Sequence, residues 1–264
     1  MKKLVLFLSF FPIIVFAQEV RIHEYQKFRI GFEAGYGSLS GNTVTPDAVR
    51  QNQSYYYEEY DYNDYYYSGY IYDYHRTSHY YFGVKPEFSI FSIFSVAAGI
   101  RFVGSNSKLN SDKDYFLWKV SENGLMTNYV RVKDIEEKGF YIGIPVEMTF
   151  YTNKKDIMVR HYVKGGVSIN LSLSTKTTVN FENSTMKKHT NKVMSDIEKK
   201  KPFTPIGFVG SGIKIGRMNN PFGSVEFRIP FSTGFSSFVD FAFGAEIQAA
   251  FYIPMGEKKL SYTY

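Results

Sequence analysis

The chain contains no cysteine. Disulfides, thiolate nucleophiles and cysteine-held zinc are therefore excluded, and stability in an oxidising compartment has to come from packing and backbone pairing. Past the first residues there is no apolar run long enough, at roughly 18 residues or more, to cross a bilayer as a helix. A strong charge bias is also missing. The formal charge of +6 falls to +4 once Lys2 and Lys3 are set aside, and no basic stripe of the kind that tracks nucleic acid is present. Tryptophan occurs once, yet there are 25 Phe and 23 Tyr, and aromatics make up 19% of the chain. Many aromatic residues without a long apolar run suit a β-rich protein, either a soluble sandwich or a membrane barrel.

Met1-Lys2-Lys3 precedes an apolar stretch from Leu4 to Ala17 that ends Val15-Phe16-Ala17. A charged start, a short apolar segment and small residues before the cut describe a signal peptide. The sequence thus predicts a leader over 1–17, cleavage before Gln18, a periplasmic N-terminal segment over 18–26, a β-barrel domain over 27–254 and a short periplasmic tail over 255–264.

Eight segments alternate with period two, which places successive side chains on opposite faces of a strand. Phe28, Ile30, Phe32, Ala34 and Tyr36 oppose Arg29, Gly31, Glu33 and Gly35 in the first. Phe140 to Phe150 and Phe241 to Ile253 repeat the pattern in the fourth and eighth, with Ile144 and Phe243 near the middle. Pro86 and Pro145 fall inside two segments, where each removes a ladder donor, so a bulge or irregular hydrogen bond is expected there.

The connections alternate in length. Gly37–Ser78, Gly104–Lys138 and Ser174–Phe203 read as long loops, with Gly37 and Ser38 at the rim; the stretches near Phe91–Ile93, Thr152–Asp156, Arg217–Gly223 and Ser232–Phe238 read as short turns. Outer-membrane barrels put short turns on the periplasmic side and long loops outside. The expected fold class is therefore all-β, an eight-stranded antiparallel transmembrane β-barrel with both termini in the periplasm.

One face of these strands is nearly free of charge. The other holds Arg29, Lys85, Arg101, Lys164, Lys214 and Arg228 together with Glu33, Glu87, Glu147, Glu226, Asp240 and Glu246. An eight-stranded barrel is just wide enough for side chains to fill, so these groups are expected to form one lumen charge network in which opposite charges pair. Catalytic signals are poor. His75 and His79 are four apart, a zinc spacing on a helix but about 13 Å on a strand. Ser78 and His79 face opposite sides of a strand. Gly210–Gly216 lacks the spacing of a phosphate loop, and Asp61-Tyr62-Asn63 is an incomplete calcium loop. No cofactor or metal is expected, and the protein is read as not an enzyme.

Tyrosine is concentrated in the first long loop, 38–78: Tyr55, Tyr56, Tyr57, Tyr60, Tyr62, Tyr65, Tyr66, Tyr67, Tyr70, Tyr72 and Tyr74, mixed with Asp, Glu and Asn. Flat rings carrying a hydroxyl serve binding loops well, so this is the candidate surface binding site; an extended hairpin of cross-strand tyrosines is the plainer alternative. Farther on, Met186, Val193, Met194 and Ile197 can line one side of a short helix.

Three motifs carry a family resemblance. Gly31 to Gly35 forms a Gly-Phe-x-Ala-Gly core, Tyr141–Glu147 carries an Ile-Pro pair after an aromatic, and Tyr162–Val167 follows it. Together they resemble the porin-like outer-membrane β-barrel family that includes PorT-type proteins. The tyrosine-rich loop departs from that pattern. The resemblance implies an outer-membrane location and a barrel fold more than an activity. Expected partners are the bilayer, the barrel-assembly machinery during insertion, and a surface ligand or membrane complex, with no nucleic acid. A lipid-modifying barrel enzyme and a narrow pore stay open as alternatives.

Overall fold

A computed structural model of the protein describes residues 21–43, 46–49, 74–111, 115–123, 126–153, 156–197 and 202–263. The expected leader lies outside them. Among the described residues the strands are β1 (Arg21–Thr43), β2 (Tyr74–Phe91), β3 (Phe94–Ala98), β4 (Ile100–Asn110), β5 (Phe116–Asn123), β6 (Met126–Tyr151), β7 (Val159–Phe181), β8 (Phe203–Arg217), β9 (Asn220–Ser236) and β10 (Val239–Thr263). A 3₁₀ turn at Ser184–His189 and a short helix α1 (Thr190–Asp196) separate β7 from β8. All pairings are antiparallel, and β1 pairs with both β2 and β10, which closes the sheet.

Ten strands make eight staves. β5 lies off the wall; it pairs with β6 and, through the single bridge Trp118–Val49, with the segment 46–49. β3 and β4 are one stave broken at Gly99, because the register of β3 against β2 and β6 continues unchanged into β4. The break has a simple cause. That register sets Gly99 between the stretches holding Pro86 and Pro145, neither of which has an N–H to donate. The Gly99 N–H donates to the Pro145 carbonyl at 3.2 Å. A Cβ on Gly99 would fall 2.2 Å from the Val84 carbonyl oxygen, so only glycine fits. The prolines thus interrupt the ladder without inserting a residue, and no bulge forms at either.

The closure is staggered. Paired residues lead from Arg29 through Glu87, Ala97, Glu147, Gly166, Phe208 and Pro230 around the wall. Continuing across β9 to Gly244 brings the path back to Leu39, ten residues beyond its start. Such a shear tilts the strands and fixes the bore of an eight-stave barrel.

Several strands run far past their expected ends. β6 has 26 residues; at about 3.3 Å each and a tilt near 45° it rises roughly 60 Å, about twice the ~25 Å apolar band of a membrane barrel. Much of the expected loop 104–138 is therefore strand, as are the starts of the other two. Gly37 and Ser38 are not at the rim but inside the ladder, with Gly37 opposite both His79 and Glu246. At the other end, pairing from Arg21↔Thr263 onward makes residues 21–26 and 255–263 of the expected flanking segments part of β1 and β10.

The wall is inverted relative to a soluble protein. Phe32, Phe82, Ile144, Val167, Phe227 and Ile247 are all exposed on the outside, while Arg29, Lys85, Arg228 and Glu147 are almost completely buried inside. Apolar residues turn outward only if the surroundings are apolar.

Candidate functional site

The lumen is built in layers along its axis. At the short-turn end Glu87 is the hub: the Arg29 guanidinium and Lys214 Nζ both pair with it, Lys214 at 3.0 Å, and Ser95 Oγ donates to it at 2.5 Å. Lys214 also donates to Tyr151 Oη at 2.7 Å and lies 4.1 Å from the Tyr252 ring centroid. Midway, Glu147 receives Lys85 at 2.5 Å, Arg228 at 3.1 Å, Lys164 at 3.5 Å and Arg101. Glu33 bridges Lys85, at 2.6 Å, and Arg101. Glu226 bridges Lys164 and Arg228 and accepts from Tyr162 Oη at 2.6 Å. Higher up, Glu246 pairs with Arg228 at 3.4 Å and accepts from Tyr81 Oη at 2.6 Å.

Eleven of the twelve charges expected in the lumen are thus buried inside and linked to a partner; the side chain of Asp240 lies outside the described residues. Small residues admit the long ones. A Cβ on Gly212 would sit 2.5 Å from Glu226 Cβ and 2.8 Å from Tyr162 Oη. Each of these glutamates already faces a cation, so none keeps the free oxygens a hard metal ion needs.

Three members of this interior were not assigned to it from sequence. His79 faces inward, its Nε2 2.8 Å from Glu246 Oε2; this is its role in place of zinc binding with His75, whose side chain lies outside the described residues. Tyr151 supplies the hydroxyl between Arg29 and Lys214. Arg160 is buried 4.3 Å from the Tyr151 ring centroid. Parity could have found His79, two residues before inward Tyr81. Tyr151 and Arg160 lie beside a turn, where alternation gives no warning. A cavity with room for about one water is lined by His79, Tyr81, Ser168, Asn170 and Phe208 among others.

Above this layer the interior changes character. Leu109, Phe116, Trp118, Val130, Val132, Ile135, Val179, Val193, Ile197 and Phe238 form one buried apolar cluster. It is a small water-soluble type of core, set over the barrel mouth by the tall ends of β4, β6 and β7, the β5 hairpin strand and α1. Trp118 Nε1 donates to Asp196 Oδ2 at 3.0 Å, tying β5 to the helix. Val193 and Ile197 are buried and Met186 packs alongside, as the spacing predicts, but Met194 points outward. On the outer surface Arg131 donates to Glu182 at 3.0 Å, and that hydrogen bond raises its pKa.

Trp118 is the single tryptophan, so its emission reports this cap alone. Replacing Val193 with Asp buries an unpaired charge. Its emission should then shift to the red while circular dichroism of the sheet and heat resistance in detergent hold. Loss of both together would show that cap and barrel fold as one unit.

Of the tyrosines in the candidate binding loop, Tyr55 through Tyr72 lie outside the described residues. Tyr74 opens β2 opposite Asn110.

A closed antiparallel wall with an apolar exterior and a charged interior defines a membrane-spanning β-barrel of the outer-membrane class. No protein-family model matches the chain, and no curated protein matches it in sequence. Among solved structures it is similar to the N-terminal β-barrel domain of Pseudomonas aeruginosa OprF, with 8% identity over 87% of this chain and 99% of that one and a TM-score of 0.31. It is similar to the outer membrane protein OprG from Pseudomonas aeruginosa, with 10% identity, 88% and 98% covered and a TM-score of 0.35. Ail, the attachment invasion locus protein of Yersinia pestis, matches with 11% identity, 86% and 98% covered and a TM-score of 0.28.

Proposed function

We propose that the protein is a non-enzymatic, non-conducting barrel of the outer membrane, PorT-like in its motifs, that acts as a rigid stand for its surface loops. Both termini lie in the periplasm, and the barrel-assembly machinery inserts the chain. The observation carrying this reading is the filled lumen: paired charges through its length and an apolar cap above them. Such an interior offers neither a water column nor a substrate chamber. What can vary is the long-loop end, where the tyrosine-rich segment 55–72 fits sugar or protein surfaces for adhesion or assembly.

Two measurements test it. In planar bilayers the purified barrel should give no single-channel steps; steady conductance would make it a pore. Deleting 55–72, which spares β2, should leave insertion and heat resistance intact and abolish adhesion, glycan binding or partner pull-down. If all three persist, the loop is not the binding site.

A lipid-modifying enzyme has one observation in its favour. On the outer wall His161 Nε2 lies 2.8 Å from Ser211 Oγ, with Thr152 Oγ1 3.5 Å from Nδ1. This is the order nucleophile, base, orienter, with a hydroxyl where a carboxylate usually stands. Ser211 sits within the ladder between β7 and β9, where backbone N–H groups serve neighbouring strands rather than an oxyanion. Ser211→Ala should therefore leave membrane lipid composition unchanged; a lost lysolipid or acyl-transfer product would reverse the assignment.

A further inference from the structure

Four cations stand side by side on the outside of the wall, at the long-loop edge of the apolar band. Arg76 on β2 lies directly opposite Lys108 on β4, and Lys138 on β6 lies directly opposite Lys176 on β7. Like charges facing each other across a ladder are destabilising. Two such pairs on adjacent staves therefore ask for a compensating anion. The acidic groups at hand do not suffice. Lys108 reaches Asp134 at 3.4 Å and Glu136 at 3.8 Å, and Lys138 reaches the same Glu136 at 3.8 Å. Asp134, which is buried, and Glu136, which lies directly opposite Lys108, are thus two carboxylates against four cations, and positive charge remains in excess on this face. Among the described residues no carboxylate pairs with Arg76 or Lys176.

Their position says which anion. Each cation continues, on the same face, a column of lipid-facing residues. Tyr80 stands four residues below Arg76 and Phe140 two below Lys138, both exposed, and below Lys176 the exposed Leu173 is the extra residue of a register shift opposite Phe140 and Tyr141. Two residues of strand are roughly 7 Å, the depth of a headgroup above its acyl chains. The two pairs are centred two stave spacings apart across the wall and two residues apart along it, since Lys108 lies opposite Glu136, which makes about 12 Å between centres. We propose that this face holds the headgroup of an outer-leaflet lipid bearing two phosphates, one at Arg76 and Lys108 and one at Lys138 and Lys176. The acyl chains of that lipid lie against Phe82, Phe102 and Phe140. Phe102 stacks on both of its neighbours, with ring centroids 5.3 Å and 6.3 Å away, which makes the bed beneath the headgroup flat and aromatic.

This inference rests on the membrane reading above, and the experiment keeps the two apart. The full mature barrel is refolded into phosphatidylcholine vesicles alone, or with a minor fraction of diphosphoryl lipid A, its dephosphorylated form, or phosphatidylglycerol. The heat-induced loss of the compact gel species is then followed. Diphosphoryl lipid A should raise the midpoint by several degrees, the dephosphorylated form should not, and phosphatidylglycerol should do so only weakly. The triple variant Arg76→Gln, Lys138→Gln, Lys176→Gln should be at least as stable as the parent in phosphatidylcholine, because it removes the facing like charges, and should lose the lipid A shift. An equal shift in the variant, or an equal shift with phosphatidylglycerol, would overturn the headgroup site while leaving the barrel assignment untouched. Failure to insert into phosphatidylcholine would overturn the membrane reading, and this one with it.

Discussion

Replacing Glu147 with glutamine should destabilise the inserted barrel by about 3–5 kcal/mol, the cost typical of breaking a dry, buried ion cluster. Lys85, Lys164, Arg101 and Arg228 all converge on this one carboxylate. Its loss strands positive charge in a buried, low-dielectric interior, a penalty that falls if water enters the lumen. Urea titration in lipid vesicles measures the effect. Adding Arg228→Met should recover part of the loss, because it removes one of the stranded cations. Strict additivity in that double-mutant cycle would mean that the two side chains do not interact. Glu226 and Glu246 also use Arg228, so recovery will be incomplete.

Arginine placed at mid-depth on the lipid face should cost about 2–4 kcal/mol, falling to about 0–1 near the interfaces. Ile144 is at mid-depth in the outward run of β6. On β10 the exposed outward residues run from Phe241 to Met255, so Ile247, rather than Phe243, is the central one. Ile144→Arg and Ile247→Arg should therefore be costly, and Leu173→Arg, near the long-loop edge, should be mild. Gly37 would be a poor shallow control, since an added Cβ there lies 2.8 Å from both the Ala245 carbonyl and His79 Cε1. Equal costs at the two depths in vesicle refolding would contradict a lipid-facing wall.

The faces of the wall were legible because a membrane barrel imposes the same rule on every strand: apolar out, polar in, period two. That is enough to assign Arg29, Glu33 or Lys164 a side. It is not enough to assign partners. Glu147 meets Arg228, 81 residues away, only because a stagger of ten residues brings their strands to matching depths, and stagger leaves no local mark. The tall ends of the strands were hidden for a different reason. Above the membrane the rule reverses, since water lies outside and an apolar core within. Val130 and Val132 point inward on β6, whereas Ile142 and Ile144 below them point outward, and the register shift between Val132 and Asp134 makes the change. Read with one rule throughout, such a segment resembles a loop. Trp118 and Ile135 were overlooked in the same way.

The solid interior has a consequence for how the protein can communicate. Messages that cross a membrane protein usually travel as a moving helix, a sliding plug or a passing solute. Here the axis is occupied from the Glu87 cluster to the apolar cap by side chains that hold one another in place, and a rigid post transmits no change of shape. A signal crossing the membrane at this protein therefore has no route along the barrel axis and would have to travel outside it.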